Sequence, residues 1–386
     1  MPPSRPLFGL ERVWRVADRL WPGFVNQLVI EGTGSLDATR WRAAVSTVLP
    51  AWPGARARLR GVLGWTRWVA DGAPPIVTQV DGGGWDARGP APFGATRLDP
   101  DAGPIVEVLL VSGATPRIVL RTHHAAFDGR AAWALAEDLG AALRGEAIRG
   151  AAFADLSDVA LIGEGPSAPE PPADALTPTG PATTLAEAST WARVTIPPMG
   201  GQVLARALAA FAAAASPGLL RVSLPVDLRR HHPGLRACAN LTGFVRVDPR
   251  SDPSAALRSA LDQRAEGGVV RTAHTLRSAP LAMMASAGKK AARATLRTGL
   301  ASSSATLSNL GRLDPHVLDG AGFRGARLFW IPPANPGTPL FLALTGHPEG
   351  IELCGGMPVG FASEGRLDTL LAAMASGMAS GMAEPR

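Results

Sequence analysis

The chain has 386 residues, 46% of them hydrophobic, and a formal net charge of +6, which is too long for one ordinary core and predicts two domains or two halves of a pseudo-symmetric fold. No uncharged apolar stretch reaches the roughly 18 to 20 residues that spanning a bilayer needs. With only Cys238 and Cys354 present, a disulfide framework and the cysteine-rich zinc patterns are both excluded.

The opening stretch, "MPPSRPLFGLERVWRVADRLW", is broken by charges and does not read as a signal peptide, so the cytoplasm is the expected location. Lysine occurs only at 289 and 290, tyrosine is absent, and arginine is spread along the chain. That pattern fits a GC-rich coding bias and a solvated surface better than nucleic-acid binding.

In chain order, "FVNQLVIEG" and "PIVEVLLVSG" read as strands, and "SLDATRWRAAVSTVL" as a helix capped by Ser35 with Asp37 in its first turn. "RIVLRTHH" is a further strand. Ala132, Leu135, Leu139 and Leu143 then recur at helical spacing up to Gly145. Residues 163–184 are rich in proline, glycine, serine and threonine, the composition of an exposed linker. This divides the chain into an N-terminal lobe over 1–165, a linker over 166–184 and a C-terminal lobe over 185–386.

The second half repeats the mixed pattern. "GQVLARALAAFAAAA" and "DPSAALRSALDQRAE" are helical, the latter opened by Asp252 and Pro253. "LLRVSLPV", "TGFVRVD", "SATLSNLG", "ARLFWI", "PLFLALTG" and "GIELCGGM" read as strands before a closing helix from about 363. The fold class is α/β or α+β, with a sheet in each of two lobes.

The stretch "RTHHAAFDG", residues 121–129, sits at a strand-to-helix turn and holds two of the seven histidines side by side. A histidine at a strand end suits general-base work, because an unperturbed pKa of about 6.5 leaves much of it neutral. A bare histidine pair is more often one packed and one solvated loop residue. "RRHHP", with His231 and His232, reads as such a surface loop. The first pair differs in specifying Asp128 and Gly129 as well. Asp128 heads the following helix and reads as structural, pairing with an arginine from elsewhere. Gly129 lets the loop turn with no side chain entering a site.

"HHAAFDG" resembles the HHxxxDG signature of the chloramphenicol acetyltransferase-like superfamily, which includes the condensation domains of nonribosomal peptide synthesis and free-standing acyltransferases. "RPLFGLERVWRVADRLWP" with the following strand and helix, "PVDLRRH", "ACANLTGFVRVD" and "LSNLGRLD" are similar to further family segments, in the expected order. The resemblance implies two such lobes in a V, with a tunnel between them. His124 would be the general base, taking a proton from an alcohol or amine that attacks a thioester and returning it to the departing thiol. His123 would support it. Arg229 would pair with Asp128 or bind backbone carbonyls, and Ser308 and Asn309 are candidates for stabilising the oxyanion. Arg246 and Val247 stand where condensation domains commonly have an asparagine-threonine pair.

No P-loop, GxSxG elbow, HExxH or carrier-protein serine motif occurs, so both substrates are expected preformed, with no metal and no permanently bound cofactor. The acyl donor would be an acyl-coenzyme A or a phosphopantetheinyl carrier-protein thioester. Lys289, Arg293 and Arg297 fall four residues apart with Lys290 beside them, which is either a solvated face or a dock for a carrier protein, coenzyme A phosphates or an anionic membrane. Met283 and Met284 either line an acyl channel or belong to a core. Two other functions share these residues: a lipid-type acyltransferase using long-chain alcohols and acyl-coenzyme A, and a non-catalytic recruitment domain.

Overall fold

A computed structural model describes residues 1–380 apart from Pro22, Pro92 and residues 334–336. Two mixed sheets organise the chain. The first has five strands in the order Phe323–Ile331, Val25–Gly34, Arg117–His123, Val106–Ser112 and Ile76–Asp81. All its pairs are antiparallel except the last. The second has six strands in the order Thr242–Val247, Val222–Asp227, Ala305–Arg312, Phe341–His347, Gly350–Pro358 and Ser189–Ile196. Each sheet has its own apolar core, and a third cluster joins Leu10 of the first helix, Gly9–Leu20, and its N-cap Phe8 to Leu228, Leu241 and Val270 of the second half.

The second half does not keep to its own sheet. Phe323–Ile331 crosses back and pairs antiparallel with Val25–Gly34, from Phe323 opposite Gly34 to Ile331 opposite Gln27. Val25–Gly34 would otherwise be a long apolar edge strand, and covering it satisfies the open row of amides and carbonyls. The linker is also less free than its composition suggests. Ala175–Leu176 pairs with Leu300–Ala301, and Ala175 and Thr177 are fully buried.

The helix cap expected at Ser35 falls on Asp37. The helix spans Ala38–Val48, so its first free amides, Thr39 N and Arg40 N, reach the Asp37 Oδ1 at 2.9 and 3.1 Å.

The strand Arg117–His123 is central in its sheet and buried along its whole length, and the helix Gly129–Arg144 follows it. The apolar stripe of that helix, Ala132, Leu135, Ala136 and Leu139, is at most 3% exposed, each leucine contributing about 1.5–3 kcal/mol by burial. The helix stops at Gly145, which takes a left-handed φ of 72° that a side chain would disfavour. A rigid strand and a rigid helix thus flank the turn at 123–128 and fix where its side chains point.

Candidate active site

The turn is held at both ends by buried polar contacts. Asp128 Oδ1 accepts from Ala131 N at 2.8 Å and caps the helix. Its Oδ2 accepts from Arg229 Nη1 at 2.8 Å and from Leu241 N at 2.7 Å. Arg229 also donates to Asp227 Oδ1 at 2.9 Å and to the carbonyls of Ala237 and Ala239 at 3.2 and 3.1 Å. It therefore does both of the things considered for it, pairing with the aspartate and binding backbone carbonyls. Burial works against the Arg229 charge, but Asp128 and Asp227 outweigh it and raise its pKa.

His123 is fully buried. Its Nδ1 accepts from Ala125 N at 3.2 Å, which leaves the proton on Nε2, 3.4 Å from Asp18 Oδ2. Burial pushes the Asp18 carboxyl up, but His123, Arg15 and the Phe24 amide together hold it below its ordinary value. Asp18 Oδ1 receives the amides of Gly23 and Phe24 at 3.3 and 3.4 Å. The carboxylate thereby ties His123 to the segment whose Phe24 carbonyl accepts from His124 N at 3.2 Å.

His124 Nδ1 lies 3.2 Å from the carbonyl oxygen of Phe127. A carbonyl can only accept, so the neutral ring carries its proton on Nδ1 and keeps a lone pair on Nε2. The same carbonyl also accepts from Asn26 Nδ2 at 2.7 Å, which fixes its direction. Trp14 and Phe24 pack against the imidazole, with ring centroids 5.6 and 5.2 Å away. Burial lowers the His124 pKa to about 4 despite the opposing pull of the Phe127 carbonyl and Asp128. The ring is therefore neutral at physiological pH.

A cavity of about 80 Å³ opens beside this ring at the junction of the two sheets. His124, Asp128 and Gly129 line it from the first half, and Asn240, Thr306 and Ser308 from the second. Gly129 is not in the left-handed region, so the turn does not need glycine for its backbone. The space there is tight: a Cβ would lie 3.1 Å from Leu310 Cδ2, so the leucine tip would have to give by a few tenths of an ångström to admit one.

Strand alternation separates the two late candidates. Thr306, Ser308 and Leu310 face the cavity, whereas Asn309 lies on the opposite face, exposed, with its Oδ1 accepting from Gly311 N at 3.1 Å. Asn309 is therefore removed as an oxyanion candidate and Ser308 stays.

The basic residues lie on the helix Leu281–Thr298, away from this cavity. Lys289 and Arg293 reach Glu187 at 3.6 and 3.3 Å and, with Arg19, line a separate cleft of about 390 Å³ floored by Leu20, Trp21 and Leu296. Lys290 and Arg297 are exposed outside that cleft. Met283 is 59% exposed and neither it nor Met284 lines the central cavity or belongs to an apolar core, so neither the acyl-channel nor the core alternative holds for the pair. His231 is not the surface residue expected either, since its Nε2 sits 2.9 Å from the fully buried Glu266.

Sequence reasoning missed Trp14, Asp18, Phe24, Asn26 and Asn240. The one signal available was polarity out of place: Asn26 interrupts an apolar strand, and Asn240 an apolar stretch.

No protein-family model matches the chain, and no curated protein matches it. Solved structures do. The first condensation domain of the calcium-dependent antibiotic synthetase, in complex with a substrate analogue, is 17% identical, with 99% of this chain and 97% of that one covered and a TM-score of 0.65. The epimerization domain from the third module of tyrocidine synthetase B is 12% identical, with 98% and 96% covered and a TM-score of 0.61. The structure of polyketide synthase associated protein 5 from Mycobacterium tuberculosis is 14% identical, with 98% and 99% covered and a TM-score of 0.60. The chain has the fold of these condensation and epimerization domains. Among the described residues, no helix is long and apolar enough to cross a membrane.

Proposed function

We propose that the chain is a free-standing acyltransferase of the condensation type, moving an acyl group from a thioester to a hydroxyl or amine in specialised-metabolite biosynthesis. The observation that carries this reading is the Nδ1 contact of His124 with the Phe127 carbonyl, which leaves the Nε2 lone pair of a cavity-lining ring free to accept a proton. His124 Nε2 takes the proton of the attacking group as its oxygen or nitrogen bonds to the thioester carbonyl carbon. The tetrahedral intermediate then collapses, the carbon–sulfur bond breaks, and the imidazolium returns the proton to the thiolate. Throughout, Nδ1 keeps its proton and donates it in a hydrogen bond to the Phe127 carbonyl. Such a base contributes about 10²–10⁴-fold, and Ser308 on the facing wall is the donor proposed for the oxyanion.

The donor thioester would be carried by coenzyme A or by the phosphopantetheine arm of a carrier protein. Arg19, Lys289 and Arg293 around an apolar floor form a cleft suited to such an anionic partner. The aromatic and aliphatic wall of the cavity, with Trp14, Phe244, Leu310 and Phe341, also favours the second reading, transfer from acyl-coenzyme A to a long-chain alcohol. Assay of wild type and His124→Ala with acyl-coenzyme A and acyl-pantetheine donors against alcohol and amine acceptors tests the proposal. Turnover by wild type that is lost in the variant supports it. Activity retained in the variant removes the base, and no turnover with any pair returns the chain to a recruitment role.

A further inference from the structure

Strands Arg58–Arg60 and Arg67–Val69 pair antiparallel as a hairpin, with Arg60 directly opposite Arg67. The next pair inward, Leu59 and Trp68, is buried, so strand alternation puts the two arginines on the outer face, where both are exposed. The tip between them reads "GVLGWT". Trp65 is 82% and Val62 71% exposed, and Leu63 is exposed with them. Two guanidinium groups facing each other across a ladder repel, and apolar side chains left in water are unfavourable. One kind of occupant relieves both: anionic groups level with the arginines and hydrocarbon beyond them. We infer that this tip docks the chain on an anionic lipid bilayer, with Trp65 among the headgroups and Arg60 and Arg67 against lipid phosphates. None of these residues lines the central cavity or the cleft at Lys289, and the inference does not rest on the acyl-transfer reading.

The tip is held in shape before it meets anything. The Leu63 carbonyl accepts from Arg12 Nη2 at 3.1 Å and from Thr66 Oγ1 at 2.7 Å, and Trp65 N donates to the Val62 carbonyl at 3.0 Å. Arg12 Nη2 also donates to the Ala279 carbonyl at 2.8 Å, which joins the tip to the segment 276–283. That segment adds Leu276 and Met283, 40% and 59% exposed, and the exposed Arg277. Groups fixed in this way lose little freedom on docking.

Charge selects the occupant. The two stretches that meet here carry no Asp or Glu between Asp37 and Asp71 or between Glu266 and Asp314. Asp71 lies 2.7 Å from Arg58 and 3.8 Å from Arg60, and so offsets one side of the hairpin. Among the described residues, Arg67 and Arg277 meet no carboxylate and reach only Ser4 Oγ at 3.1 Å and the His274 carbonyl at 3.4 Å. A second copy of this chain would bring like charges together. An acidic protein face offers carboxylates without an apolar layer behind them, whereas an anionic bilayer presents phosphate first and hydrocarbon next, the order in which the arginines and the apolar tip are stacked.

Co-sedimentation tests this with vesicles of phosphatidylcholine alone and vesicles of equal parts phosphatidylcholine and phosphatidylglycerol, on wild type, Trp65→Ala and the double variant Arg60→Gln, Arg67→Gln. Wild type binds the anionic vesicles about tenfold more tightly than the neutral ones, and the advantage shrinks near 1 M salt. Trp65→Ala lowers anionic binding about tenfold, and the double variant erases the preference for anionic lipid. Lipids brominated in their acyl chains quench more emission in wild type than in Trp65→Ala, which separates this indole from the other tryptophans. Equal binding to both vesicles, or no binding, overturns the inference, as does anionic binding that both variants retain in full. Self-association of wild type that Trp65→Ala abolishes, with no vesicle binding, also overturns it and gives the tip to a second copy. Should a variant fail to fold, the wild-type lipid preference, its salt dependence and the quenching still decide.

Discussion

Arg229 and Asp128, 101 positions apart in the chain, meet at 2.8 Å with side chains only 10% and 6% exposed. The pair joins the turn that carries His124 to the Leu228–His231 segment of the second half. Neither charge touches the Nε2 of His124. Their part is to hold the wall of the cavity in one position.

Removing one partner of a buried pair strands the other, at a cost of about 3–5 kcal/mol. Asp227 remains beside Arg229 at 2.9 Å, so Asp128→Ala is expected at the lower end of that range. Asp128→Asn keeps an oxygen for the Ala131 amide and loses less. In both variants melting temperature and activity fall together. Full loss of activity at an unchanged melting temperature would make Asp128 a chemical participant.

Acid titration of kcat/KM distinguishes this imidazole from an ordinary one. Protonation of Nε2 removes the lone pair, so activity is lost as pH falls through the pKa of about 4 that burial sets. A profile still flat at pH 5.5 is expected, where a histidine at about 6.5 would already be mostly protonated. A midpoint near 6.5 would mean that the ring is solvated.

Two buried groups bend the stability curve in opposite directions. For His124 the folded pKa lies below the unfolded one, so the stability it contributes is present above about 6.5 and is lost as pH falls toward about 4. Asp158 is the reverse. Burial and then Glu11 raise its carboxyl to about 6, and its Oδ2 has no partner. Its contribution is full below about 3.8 and is lost as pH rises through about 6. Asp158→Asn is therefore expected to stabilise the chain by on the order of 1–3 kcal/mol at pH 7.5 and to change little at pH 4. Chemical denaturation at the two pH values measures both.

The cleft beside the basic helix makes a salt-dependent prediction. Arg19→Ala, Lys289→Ala and Arg293→Ala combined, which removes the basic residues of the cleft, should raise KM for the acyl donor several-fold at low ionic strength, with kcat unchanged. The difference should shrink near 1 M salt, where the screening length falls to about 3 Å. An unchanged KM at low salt would leave Lys289 and Arg293 as partners of Glu187 alone.

The local frame of the site was legible in the residues. The strand before the motif, the helix after it and the stop at Gly145 each follow from patterns spanning a few positions, since periodicity and capping act within one or two turns. The caps were less secure. Ser35 and Asp37 are both good N-caps, and only the backbone path showed which one meets the free amides at Thr39 and Arg40.

The amino-acid sequence by itself determined the imidazole at the turn, the strand and helix that hold it and the alternation that places side chains on opposite faces of a strand. Tertiary structure alone decided that Ala305–Arg312 turns Ser308, and not Asn309, toward His124, and that Phe323–Ile331 crosses to the other sheet. It also set the His124 pKa and brought Trp14, Phe24 and Asn240 around the ring. Dihedral preferences and side-chain period are properties of neighbours in the chain. Contact, desolvation and an unpaired oxygen arise between segments more than a hundred positions apart, and their meeting depends on how the whole chain buries its apolar surface.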